Sequence, residues 1–237
     1  MTVLLYQVDP YLAEAEAVVV AHTSEGGVVL DRTLFYPTGG GQPGDSGQLI
    51  WAGGALPIAT AVKAGDDVAL VPAVPGALPP LGTALRQLLD WDRRHRHMRV
   101  HTALHLLTVV IPCPVTGGAI GAERGRLDFD MPDPLVDPLA VEEALNALID
   151  RDLPVTEMWI TDAELAANPG LVKTMKVAPP MGRGRVRLVR IGEDADQVDL
   201  QPCGGTHVAR TAEIGRVEIG KIEKKGRQNR RVTLTLA

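Results

Sequence analysis

HTALHLL, His101 to Leu107, sets two histidines four residues apart in an otherwise apolar run. Residues i and i+4 stand one above the other on a helix, so a helix here presents His101 and His105 side by side. Leu104 and Leu107 then help bury it. Asp92 supplies an N-cap for this helix, which is predicted to run to about Val110. Two stacked imidazoles are half of a metal site, in a chain with only six histidines.

The other half lies far along the chain. PCGGTH places Cys203 and His207 four residues apart, and Gly204–Gly205 lets the backbone turn between them. Mixed nitrogen and sulfur donors suit a borderline-soft, tetrahedral cation, and zinc, Zn2+, is the usual choice. The 97 residues between His105 and Cys203 exclude a zinc finger, whose ligands are local. The expected ligand set is therefore His101, His105, Cys203 and His207. Each histidine alone also fits a buried imidazole with a satisfied backbone partner. His97 and His101 are four apart as well, but His97 sits in a basic run. Cys113, between Pro112 and Pro114, reads as a packing residue.

The whole chain, 237 residues with 45% hydrophobic and 22% charged side chains, has the composition of an ordinary globular protein. No stretch reads as a signal peptide or a membrane span: VLLY is too short, and the long uncharged segment VALVPAVPGALPPLG is broken by four prolines. Two cysteines and no export signal imply reduced thiols in a cytoplasm. The net charge of −5 is unevenly placed. Residues 1–90 carry −6 and the remainder +1. Basic residues cluster at 93–99 (RRHRHMR), 183–190 (RGRVRLVR) and 221–231 (KIEKKGRQNRR). Local stripes of this kind steer a phosphate backbone, although each also suits a solvated face.

Two domains are expected. In residues 1–91, EAEAVVVAHTS, GGVVLDRTLFYP, SGQLIWA and DVALVPA are short β-branched runs between turn signals at 52–54 and 64–67. A Pro- and Gly-rich loop at 72–82 precedes a last strand, LRQLLDW. The pattern suits a small barrel or sandwich. In residues 92–237, the histidine helix is followed by a strand, RLDFDM, and by a helix opened by Asp137–Pro138 with Val141, Leu145, Leu148 and Ile149 on one face. VTEMWIT, VRLVRIG, VDLQPC, GRVEIGKIEKK and RRVTLTL read as strands and DAELAAN as a short helix, which makes this part α+β.

One further stretch stands out, FYPTGGGQPGDSG at 35–47. Three consecutive glycines expose backbone N–H groups and permit close approach of a ligand. No Walker or dinucleotide signature accompanies them, which argues against a nucleotide cofactor and for ATP-independent chemistry. A simple hairpin connection explains the glycines equally well.

Taken together and in order, FYPTGGGQPGDSG, DWDRRHRHMRVHTALHLL and DLQPCGGTHVARTAEIG resemble the editing domain of alanyl-tRNA synthetase, and more closely its free-standing relatives, the AlaX proteins of medium size. The resemblance runs from about residue 30 to the end. Gly44 and Ser46 depart from it, standing where Ser and Thr are expected. It implies a small N-terminal β-barrel domain followed by an α+β zinc-binding editing domain, and a partner that is the acceptor end of mischarged tRNA. The implied reaction is hydrolysis of the aminoacyl ester of Ser-tRNA(Ala), with Gly-tRNA(Ala) as a second substrate. Such an ester needs an activated water and stabilisation of a tetrahedral oxyanion, and zinc supplies either. Thr38, Gln42, Thr102 and Asp199 are the polar candidates near the motifs, the first three for a catalytic role. Gly39, Gly40, Gly41 and Gln42 are expected at the substrate, and Lys224, Lys225, Arg230 and Arg231 at the tRNA. Thr38 or Thr102 is expected to meet the serine hydroxyl.

Four protein donors normally make a closed, structural zinc, whereas hydrolytic zinc keeps a position open. Whether the metal acts on water, positions substrate or only holds the fold stays undecided at this level. A threonyl-type editor acting on Ser-tRNA(Thr) shares the same ligands. A zinc-stabilised RNA-binding module without hydrolysis shares them too. A metalloprotease does not fit, since HTALH lacks the glutamate of His-Glu-x-x-His.

Overall fold

The computed structural model describes residues 1–131, 137–175 and 184–237. They form two compact units, Met1–His95 and Arg96–Ala237.

The first unit is a closed barrel. A two-residue strand, β1 (Val3–Leu4), pairs in parallel with β4 (Arg32–Thr33) beside it. The barrel strands are β2 (Glu14–His22), β3 (Val28–Leu30), β5 (Gly47–Trp51), β6 (Gly54–Ala64), β7 (Asp67–Pro72) and β8 (Ala84–Leu89), closed in the order β2-β3-β7-β6-β5-β8. Closure removes the sheet edges, and alternate side chains fill the interior. Val19, Leu30, Leu34, Phe35, Leu49, Ile58 and Leu70 form that core. The turns expected at 52–54 and 64–67 bracket β6, the longest barrel strand, which sequence reading did not identify. Pro57 and four alanines hide its alternation, yet Leu56, Ile58 and Ala61 point inward.

Helix α1 (Trp91–Val110) ends where the sequence predicts. Its cap is Asp90 rather than Asp92: the Asp90 carboxylate accepts the Arg93 N–H at 3.2 Å, and its carbonyl accepts that of Arg94 at 3.0 Å. Both aspartates suit a helix start, and the preceding strand ending at Leu89 decides between them.

The second unit is α+β. β9 (Val115–Ile120) and β10 (Arg124–Asp130) precede α2 (Pro138–Asp150), which Asp137 caps through the Leu139 N–H. β11 (Val155–Thr161) leads into α3 (Asp162–Ala167) through a Thr161–Glu164 capping box. β12 (Arg185–Ile191) and β13 (Asp199–Pro202) complete a three-stranded antiparallel sheet in the order β11-β12-β13. β14 (Val217–Ile219), β15 (Glu223–Lys225) and β16 (Asn229–Leu236) join the other sheet, ordered β14-β16-β10-β9 with β15 also on β16. GRVEIGKIEKK is therefore two short strands, not one. VTGGAI, which forms β9, carries two glycines in six residues and gave no strand signal.

Candidate metal centre

Every part of this centre lies in the second unit. Helix α1 supplies His101 and His105 one turn apart, and the loop after β13 supplies Cys203 and His207. The Cys203 sulfur lies 3.4 Å from Nε2 of His101 and 3.3 Å from Nε2 of His207. The four donor atoms all lie within 4.8 Å of one another, and all three imidazoles are buried. Bonds of 2.0–2.3 Å from a tetrahedral zinc to nitrogen and sulfur put donors about 3.3–3.6 Å apart. The spacing, with three nitrogen donors and one sulfur, thus fits a metal ion of this kind. His97, the alternative to one of the pair, is outside the cluster.

Two of the imidazoles are oriented from behind. The Thr102 hydroxyl donates to the Met98 carbonyl at 2.9 Å and accepts the Val208 N–H at 3.2 Å. Its one proton is therefore committed to Met98, so the contact at 3.2 Å to Nδ1 of His207 requires that nitrogen to be the donor. Nε2 of His207 is left with its lone pair toward the cluster. Thr102 is fully buried by this arrangement. The expectation that it touches substrate is corrected: it supports a ligand.

Asp199 does the same for His105. Its Oδ2 lies 3.1 Å from Nδ1 of His105 and accepts the Gln201 amide at 2.8 Å, while Oδ1 pairs with Lys173. Burial works against this carboxylate's charge, but the His105 hydrogen bond, His105's charge and Lys173 overcome it and hold the pKa at about 2. Burial likewise opposes a charged His105, yet Asp199 and the Cys203 thiolate raise its pKa to about 9 in the metal-free cluster. Burial raises the Cys203 thiol, but the charges of His101 and His207 hold it well below the ordinary value. Burial and the charge of His101 hold His207 well below the ordinary imidazole value, so a basic His105 and a neutral His207 face the thiolate, a donor set that suits a divalent cation. Asp199 is a partner of a ligand, a placement common around metal-bound histidine.

The Cys203 loop is clamped. Nη1 of Arg187, on β12, donates to the carbonyls of Cys203 at 2.8 Å and Gly205 at 2.9 Å. Its Nε donates to Glu157 on β11 at 2.7 Å, and its Nη2 pairs with the same carboxylate. Sequence reading placed Arg187 in a tRNA-steering stripe at 183–190. The structure corrects this for Arg187, which is 4% exposed and serves the loop. Arg183, in the same run, lies outside the described residues. The period-2 position of Arg187, diagonal to the acid Glu157 on the neighbouring strand, was the available signal. Lys173, which follows a 3-10 turn, offered none.

The run at 93–99 also fails as a free stripe. Arg94 is wholly buried in the first unit, bidentate on Asp45, with further bonds to the carbonyls of Pro10 at 3.0 Å and Leu34 at 2.6 Å. Asp45 in turn accepts the Tyr36 N–H at 2.6 Å. Arg93 donates to the Gly44 carbonyl at 2.8 Å. These residues pin the glycine-rich segment, which is a tight hairpin: Gly39 and Gln42 exchange backbone bonds at 3.0 and 2.9 Å, with Gly40 and Gly41 at φ 56° and 84°. Such a turn needs positive φ at both central positions. Thr38 is exposed, its hydroxyl accepting the Gly44 N–H at 2.9 Å and donating to the Ala61 carbonyl at 3.3 Å. Gln42 is buried, not presented at the surface. Gly44 departs from the expected serine for a steric reason, since a Cβ there would fall 2.1 Å from the Ala61 carbonyl oxygen.

Of the four expected tRNA contacts, Lys224 and Lys225 are exposed on β15. Arg230 is buried and Arg231 is engaged by Asp128 at 2.7 and 2.9 Å, so neither is offered as an open surface charge.

The chain has relatives along its whole length. Over its full length it is 36% identical to the alanyl-tRNA editing protein AlaX-M of Methanosarcina acetivorans, covering 99% of that protein. It belongs to the AlaX-M family. The AlaX-M protein of Methanosarcina barkeri is also 36% identical over the full chain. The alanine–tRNA ligase of Korarchaeum cryptofilum is 37% identical across 94% of this chain, which spans 25% of that enzyme. Residues 186–233 match the family described as threonyl and alanyl tRNA synthetase second additional domain, and residues 10–93 match tRNA synthetases class II (A). The second additional domain thus covers the Cys203 loop and its Arg187 clamp. Among the described residues no helix is long and apolar enough to cross a membrane.

Proposed function

We propose that this chain is a trans-editing hydrolase that removes the amino acid from mischarged tRNA(Ala), chiefly Ser-tRNA(Ala), with Gly-tRNA(Ala) as a second substrate. The observation that carries the reading is the convergence of His101, His105, Cys203 and His207 in a chain collinear with alanyl-tRNA editing proteins. These residues would hold zinc, which supplies Lewis acidity toward an ester carbonyl or a water. The chain's own part is to turn the free nitrogens of His207 and His105 inward, through Thr102 and Asp199, and to hold the Cys203 loop against Arg187. Lys224 and Lys225 are proposed tRNA contacts. The glycine hairpin Gly39–Gln42, with Thr38, is proposed as a substrate contact in its own right.

A site that hydrogen-bonds the serine hydroxyl leaves a polar group unpaired when alanine enters, which supports rejection of about 10⁴-fold or more. The test is ester loss from Ser-tRNA(Ala), Ala-tRNA(Ala) and Ser-tRNA(Thr), with and without a chelator. Hydrolysis of the first alone, lost on chelation and restored by zinc, is expected. Binding without hydrolysis, or preference for Ser-tRNA(Thr), overturns the proposal.

A further inference from the structure

Trp159 is 42% exposed, on an edge strand, with the guanidinium of Arg185 5.8 Å above its ring. A tryptophan open to water beside a cation offers an aromatic face on which a ligand can stack. The register of the small sheet says where that face lies. Trp159 pairs with Arg187, and the Cys203 N–H bonds to the Arg187 carbonyl at 3.2 Å. Directly opposed residues share a sheet face, so Trp159, Arg187 and Cys203 form one row across β11, β12 and the end of β13. Glu157, Val189 and Gln201 form the next row, and Val155, Ile191 and Asp199 the one after. The face that bears Asp199 and Gln201 toward α1 is therefore the face that bears Trp159. The opposite face, with Ile160, Val186, Leu188 and Leu200, is packed under Leu165 of α3.

One half of the site face is covered by α1, whose His105 and Thr108 meet Asp199 and Gln201. Arg187 fills the middle as floor, its guanidinium engaged by Glu157 and the loop. The outer half ends in the open indole, about two strand spacings or roughly 10 Å from Cys203. That is the length of one nucleoside. An aromatic plane with a cation beside it is the pairing that takes a stacked base and its phosphate without reading sequence.

We propose that Trp159, with Arg185, is the seat of the unpaired 3′-terminal nucleoside of aminoacyl-tRNA, holding the base while the ester reaches the histidine–cysteine cluster. The assignment rests on the editing function proposed above and names where the nucleic acid end sits in that same site. The base stacks on the indole, and Arg185, 5.8 Å from the ring centroid, faces the phosphate.

The test uses an uncharged RNA minihelix of the tRNA(Ala) acceptor stem, with its single-stranded 3′ end intact or lacking the terminal adenosine, titrated against zinc-loaded protein. Wild type is expected to bind the intact end more tightly by about 5- to 100-fold, the range of one base–aromatic stack. Trp159→Ala should lose that preference and bind both RNAs alike, and Trp159→Phe should keep most of it. Arg185→Gln, an exposed change, should weaken both complexes and flatten the salt dependence. In deacylation of Ser-tRNA(Ala), Trp159→Ala should raise KM by the same factor with kcat within about twofold. Equal preference for the intact end in wild type and in Trp159→Phe and Trp159→Ala alike overturns the assignment, as does a wild type that ignores the terminal adenosine. Failure of the editing reading looks different: the ester then survives in wild type, whatever the minihelix comparison gives. Should Trp159→Ala melt early, Trp159→Phe and Arg185→Gln decide the matter alone.

Discussion

Oδ2 of Asp199 stands 3.1 Å from Nδ1 of His105, and neither side chain is open to water. This contact fixes which imidazole nitrogen is free for a metal. Asp199→Asn should therefore lower zinc affinity by about 10- to 100-fold, the usual effect of removing a ligand's partner. Competition with a chromophoric chelator measures it. Cys203→Ala should lose more and Cys113→Ala nothing. Equal losses from both cysteines would mean that the ligand set is wrong.

The pH dependence follows from the same pair. His105 has its pKa raised from 6.5 to about 9 in the metal-free chain, so its contribution to stability is full below pH 6.5 and disappears as pH rises through about 9. Asp199 is lowered from 3.8 to about 2, so its contribution is full above pH 3.8 and is lost as pH falls through about 2. Zinc must displace the His105 proton, so loading at about pH 7 should release about one proton, and far less above about pH 9. Titration calorimetry in two buffers of different ionisation enthalpy reads this directly. Proton release that does not fall at high pH would place the proton elsewhere.

Arg187→Met removes the clamp on the Cys203 loop and strands Glu157. Breaking a buried ion pair from one side costs about 3–5 kcal/mol, and Glu157 is partly solvated, so the lower figure is expected. Zinc affinity should fall at least tenfold, with Arg187→Lys intermediate because an ammonium cannot serve carboxylate and two carbonyls in one plane. Urea unfolding and chelator competition check the two halves. Destabilisation with unchanged affinity would reduce the clamp to packing.

In the barrel, Asp45→Asn leaves the wholly buried Arg94 without its counter-charge, which should cost about 3–5 kcal/mol. Arg86→Gln breaks an exposed pair with Glu14 and should cost less than about 1 kcal/mol. The two melting curves, compared, test whether Asp45–Arg94 anchors the glycine segment.

Gly40 has positive φ and open space around it, since an added Cβ would meet only the Tyr36 hydroxyl, at 3.9 Å. Gly40→Asn should melt near wild type, since asparagine tolerates this conformation, whereas alanine should cost about 1 kcal/mol. If the hairpin touches substrate, the asparagine variant should deacylate Ser-tRNA(Ala) at least tenfold more slowly. Full activity would make the hairpin a turn and nothing more.

The four donors were legible because each pair repeats at four residues and carries chemistry that few other positions offer. The barrel was legible from turns and β-branched runs, but β6 was not, since alanine and proline carry little strand signal. What supports the donors was hidden for a different reason. Thr102, Asp199, Arg187 and Lys173 act through partners that include groups 26 to 105 residues away, and only the fold says that those partners meet. The basic runs misled because charge in a sequence does not reveal whether an arginine faces water or a buried carboxylate, as Arg94 and Arg187 do.

The ligands also set an order of events during synthesis. His101 and Cys203 are 102 residues apart, so the helix carrying two donors leaves the ribosome long before the loop carrying the others. A nascent chain stopped short of Cys203 holds two imidazoles and no thiolate, a poor competitor for any cation. Only when β13 has zipped onto β12 and brought the loop to α1 does the full donor set exist. A metal held there would therefore be a late acquisition, a seal on a topology already closed and not a nucleus that starts it.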